Sequence, residues 1–100
     1  MSIERGKRRM DMRVAIVGII VEDKDSVERL NAILHEFSDY VIGRMGLPYR
    51  ARSISIISIA MDAPNDVISA LSGKLGNLPG VSAKTTYAKL SNDVKHEVSE

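Results

Sequence analysis

An α+β domain is what this sequence predicts: a four-stranded antiparallel sheet with two helices on one face, in the order β-α-β-β-α-β. Three observations carry that expectation. The runs at residues 13–22 and 53–61 are β-branched and apolar on both alternating faces, as central strands buried on both sides are. Two further stretches place apolar residues at helical spacing. The segments at 40–47 and 81–89, one bearing Gly and Pro and the other plainly alternating, suit edge strands. In the ferredoxin-like arrangement the first and third strands are central and the second and fourth lie outside. The order of the runs here agrees.

Taken in turn, residues 1–12 carry Arg5, Lys7, Arg8 and Arg9 against Glu4 and Asp11, without an apolar period, and read as a flexible basic arm. The domain proper spans 13–89, and 90–100 is a polar tail. After the first strand, Asp25 with Glu28 predicts a helix N-cap and its capping-box partner. Val27, Leu30, Ile33, Leu34 and Phe37 then form one stripe of a helix of about three turns. The second strand runs toward a turn at Gly46 and Pro48. Pro64 suits a first helical position, with Val67, Ile68, Leu71 and Leu75 as the second stripe and Gly76 as its C-cap. Gly73 inside that helix costs about 1 kcal/mol relative to Ala, which predicts a close backbone contact there. Pro79-Gly80 is a turn signal, and Ala83, Thr85 and Tyr87 alternate with Ser82, Lys84 and Thr86 in the last strand.

Two helices cover only one face of such a sheet. Val14, Ile16, Ile20, Ile54 and Ile56 stand on the face opposite the other apolar set, and left bare they make a patch larger than soluble monomers usually expose. A second subunit laid on that face is the simplest remedy, so a homo-oligomer is expected. The alternative is tail residues folded over it.

The charge balance, 14 basic against 13 acidic residues, speaks against a dedicated nucleic-acid binder. The absence of cysteine excludes disulfides, thiolate metal sites and cysteine nucleophiles. The apolar run at 14–21 is too short for a membrane helix of roughly 20 residues, and the charges at 22–25 replace a signal-peptide cleavage site. A cytoplasmic protein is expected. With only His35 and His96, one chain holds no histidine-rich metal site. Around Gly73-Lys74 the P-loop pattern fails, because Ile68 and Leu75 occupy its required positions. Neither a catalytic triad nor a dinucleotide loop is present, and no cofactor or enzymatic activity is expected. The most unusual composition lies at 43–52, where three arginines, two glycines, a proline and a tyrosine surround one hairpin. Exposed backbone and guanidinium forks there could hold a carboxylate or phosphate, although the residues by themselves favour a solvated turn whose basic flanks protect a sheet edge.

The runs VAIVGIIVED, LHEFSDYVIGRMGLPYR, ISIISIAMDAP and DVISALSGKLGNLPGVSAKTTYAK resemble the putative iron-only hydrogenase system regulator family across residues 13–89. The resemblance implies an ACT-like domain, related to the C-terminal domain of the nickel-responsive regulator, and an oligomer, dimer or tetramer. Of that regulator's four metal-ligand positions only His35 matches. Gly46, Pro48 and Ile54 take the others and offer no side-chain ligand, so no metal site is expected. A non-enzymatic regulator of a hydrogenase system follows, binding a small-molecule effector or a partner. ACT-like ligands sit near edge strands and loops, which selects Arg44, Gly46, Pro48, Tyr49 and Lys74 as effector contacts. Two alternatives stand beside it: a transcriptional regulator that grips DNA through Arg5, Lys7, Arg8 and Arg9, and a structural module docking on a hydrogenase maturation protein.

Overall fold

The computed structural model describes residues 11–89. Six elements follow one another: β1 (Met12–Val21), α1 (Val27–Glu36), β2 (Val41–Tyr49), β3 (Ile54–Pro64), α2 (Asn65–Gly76) and β4 (Val81–Tyr87). The strands form one antiparallel sheet in the order β2-β3-β1-β4. This is the α+β, ferredoxin-like order expected, with both Ile/Val-rich strands in the middle. The basic arm with Arg5, Lys7, Arg8 and Arg9, and His96 in the tail, lie outside the described residues.

Alternation along the central strands divides the sheet into two unlike faces. Ala15, Val17 and Ile19 of β1 register with Met61, Ile59 and Ile57 of β3 on one face, which Val21, opposite Ser55, extends. Leu30 and Leu34 of α1 and Ile68, Leu71 and Leu75 of α2 close over that face, forming one buried core. Each fully buried Leu or Ile side chain is worth about 1.5–3 kcal/mol against exposure, so this layer supplies most of the drive to fold. Arg13 stacks 4.4 Å from the Tyr87 ring centroid and closes the outer margin beside β4.

The corner between β1 and α1 departs from the expected cap. Asp23, rather than Asp25, accepts a backbone N–H, that of Asp25 at 2.9 Å, and caps a single 3-10 turn over Lys24–Ser26. Ser26 then precedes α1 without capping it, because its hydroxyl is used elsewhere. Wholly buried, it donates to the Pro79 carbonyl at 2.7 Å and ties the start of α1 to the turn before β4. Ser26→Ala removes that donor and strands a carbonyl, so urea unfolding is expected to show a loss of about 1–2 kcal/mol. An unchanged midpoint would mean the bond contributes nothing.

Around α2 three further expectations shift. β3 remains paired as far as Met12↔Pro64, so Pro64 is still extended and caps the helix from outside it. Gly76 is the last helical residue, and the left-handed turn falls instead on Gly80, at φ +69°. Gly73 has nothing within 4 Å of a built Cβ, so no close backbone approach offsets it among the described residues.

Candidate functional site

Among the described residues β2 pairs with β3 alone, and its other margin is an edge of the sheet. Its register slips between Val41 and Gly43, where Ile42 is an extra, bulged residue. Val41 pairs with Met61 and faces the helices. Past the bulge the alternation is inverted, so that Arg44 pairs with Ile59 and Gly46 with Ile57 on the helix side. Met45, Leu47 and Tyr49 consequently face the other way.

On the helix side, α1 does not reach over β2, and a groove of about 330 Å³ opens between them. Its floor is Leu34 and Ile59, both buried, with Val41 beside them. Asn31, His35, Ser38 and Arg44 form its polar margin. Asn31 and His35 stand one turn apart on the flank of α1 that looks toward β2, and Ser38 follows in the 3-10 turn after the helix. The Arg44 Nη2 donates to Asn31 Oδ1 at 3.1 Å, a contact that holds the guanidinium across the groove. Among the described residues no carboxylate pairs with Arg44. A second depression, of about 360 Å³, lies at the far end of β2 and includes Lys24, Val27, Pro48 and Arg50.

The five residues expected to contact an effector are therefore divided. Arg44 lines the groove, Pro48 the second depression, and Gly46 stands between them on the same face of the strand. Tyr49 is on the opposite face, half exposed. Lys74 lines neither depression. Its Nζ donates to Glu36 Oε1 at 3.3 Å and lies 5.7 Å from the Phe37 ring centroid, so it links α2 to the end of α1. Asn31 and Ser38 were not singled out by composition, although their helical spacing with His35 is visible in the sequence.

The opposite face of the sheet is apolar and bare. Ile16, Met45, Leu47 and Tyr49 are each more than half exposed, and Ile56 is 38% exposed. Register places Ile20 beside Ile56 and Ile56 beside Leu47, with Met45 and Ile54 flanking them, while Ile16 stands beyond Gly18 next to Ala60. Toward β4 the same face turns polar, with Ser82, Lys84 and Thr86, and Asp62 lies across from Val14. Among the described residues no group of three or more His, Cys, Asp or Glu could hold a metal ion, and no helix is long and apolar enough to cross a membrane.

Residues 13–85 match the model of a family described as "TM1266-like: Iron-only hydrogenase system regulator, putative". Among solved structures, the chain is similar to the uncharacterized protein TM1266 from Thermotoga maritima, at 38% identity and a TM-score of 0.75. That similarity covers 78% of this chain and 99% of the other. The comparison with curated proteins finds no match.

Proposed function

The chain belongs to the TM1266-like family, whose description is that of an iron-only hydrogenase system regulator, and from that premise we propose a non-catalytic regulatory module that works as a homo-oligomer and answers to a small-molecule effector. The bare sheet face carries this reading. Its half-exposed Ile, Met, Leu and Tyr side chains together present apolar surface on the order of 500 Å² on one face, at the upper end of what monomers expose.

A second copy is the occupant that fits. Sheets pack face to face through interdigitated side chains about 10 Å apart, and a two-fold arrangement sets the same patch on both partners. Joining two such patches removes about 1,000 Å² from water before their polar margins are counted, which reaches the range of specific interfaces. Asp62 and Lys84 lie on that same face with opposite charge, so a second copy offers each a complementary sign. The helices and the groove beside Arg44 lie on the far side of the sheet and stay open in such an assembly.

Light scattering across a dilution series tests this directly. The wild-type chain is expected at twice its 11.0 kDa mass or more. Ile16→Lys combined with Leu47→Lys places two charges per copy in the patch and is expected to yield a folded monomer by circular dichroism, because burying unpaired charge is prohibitive. A wild-type chain that is monomeric at every concentration, or a double variant that keeps the wild-type mass, would overturn the proposal.

A further inference from the structure

We infer that the groove between α1 and β2 binds a small carboxylate with a short hydrocarbon tail and without an ammonium group. The inference rests on the effector-binding reading above and names the chemical class of the effector.

Arg44 supplies the anion site. Its guanidinium has five N–H donors, one of which is used on Asn31 Oδ1 at 3.1 Å. No carboxylate among the described residues neutralises it. The bulge at Ile42 turns this charge toward the helices, above an apolar floor, and the Asn31 contact holds it there. A planar fork of this kind matches a carboxylate through two parallel hydrogen bonds. The Ser38 hydroxyl and the His35 ring stand on the same margin as further polar groups.

Leu34, Val41 and Ile59 decide what else the ligand carries. They offer a hydrocarbon surface beside the guanidinium, which suits a branched or short linear chain and which a phosphate, lacking any tail, leaves unused. A volume of about 330 Å³ is at the small end of ligand pockets, which limits the tail to a few carbons. Among the described residues no Asp or Glu lines the groove, so an α-ammonium group would lose its hydration without gaining a counter-charge from them. A 2-oxo acid or a short fatty acid therefore fits, and the amino acid with the same side chain does not.

Titration of the ¹⁵N-labelled full chain with isovalerate, 2-oxoisovalerate, valine and inorganic phosphate separates the classes. The two acids are expected to shift the amides of residues 31–44 saturably, with valine and phosphate weaker by about tenfold or more. Arg44→Ala, at an exposed position that folding does not need, is expected to weaken the acids by about tenfold or more. Arg44→Lys, which keeps the charge without the fork, should fall between the two. Equal binding of isovalerate and phosphate, equal binding of isovalerate and valine, no saturable shift with either acid, or acid binding unaltered in Arg44→Ala would each overturn the inference. Measuring the mass of the same samples keeps the two proposals apart: an oligomer that ignores the acids defeats this one alone, and a monomer that binds them defeats only the assembly.

Discussion

Gly80→Ala is expected to lower the thermal midpoint by about 15 °C, corresponding to a loss of about 3 kcal/mol for a domain of this size. Gly80 sits at φ +69°, where an L side chain costs about 1–2 kcal/mol. A Cβ there would lie 2.6 Å from the Asp23 Cβ and 2.9 Å from the Asp23 backbone nitrogen, and backbone does not step aside as a flexible side chain would. The Gly80 carbonyl also accepts the Glu22 N–H at 2.7 Å, so any movement that relieves the overlap strains the bond joining β1 to the turn before β4. Overpacking of this kind typically costs about 1–3 kcal/mol beyond the conformational term. Gly76→Ala is the control, since it has open space around its Cβ and no positive φ, and it is expected to leave the midpoint unchanged or slightly raised. Differential scanning calorimetry that finds the two variants alike would show that the corner is not tight.

Ile59→Ala is expected to be costlier still, at about 3–4 kcal/mol by urea denaturation, against about 1 kcal/mol for Ile59→Val. Ile59 is fully buried at the middle of β3, between Val17 on one side and Arg44 on the other. Truncation leaves a void that two sheet neighbours and the helices above cannot both fill. Total stability for 100 residues is about 5–15 kcal/mol, so the variant approaches the margin of folding. Because Ile59 also floors the groove, Ile59→Val retains the fold and is expected to weaken isovalerate while leaving the oligomeric mass unaltered. A variant that loses less than 1 kcal/mol on Ile59→Ala would place the core elsewhere.

The strands and helices are legible in the sequence because the two periodicities are clean. Ile and Val on both faces of residues 14–21 and 54–61 can be satisfied only at the centre of a sheet, and Leu30, Leu34, Ile68, Leu71 and Leu75 recur with helical period. Termini were less legible, for physical reasons that only the fold supplies. Asp23 caps in place of Asp25 because a 3-10 turn intervenes, and Ser26 abandons capping for Pro79, which is 53 residues away in the chain. Gly80, not Gly76, takes the left-handed conformation, in the turn before β4 where the Asp23 backbone leaves no room for a side chain.

The candidate site was only half visible. Arg44 and its neighbours stand out by composition, but the facing of β2 depends on the slip at Ile42. Unbroken alternation from Val41 would have sent Met45 and Leu47 under the helices and Arg44 to the bare face. The ACT-like resemblance sets Lys74 beside the hairpin residues as an effector contact, yet its charge is taken up by Glu36.

One extra residue in an edge strand thus assigns every later side chain of that strand to its surface. Loss of the single codon at position 42 would therefore remove the bulge and leave a regularly alternating strand, with Arg44 still opposite Ile59 and Leu47 still opposite Ile56. The cation in the cleft and the grease on the exposed sheet are thus inherited as a pair, and a frame-preserving deletion at that point spares both.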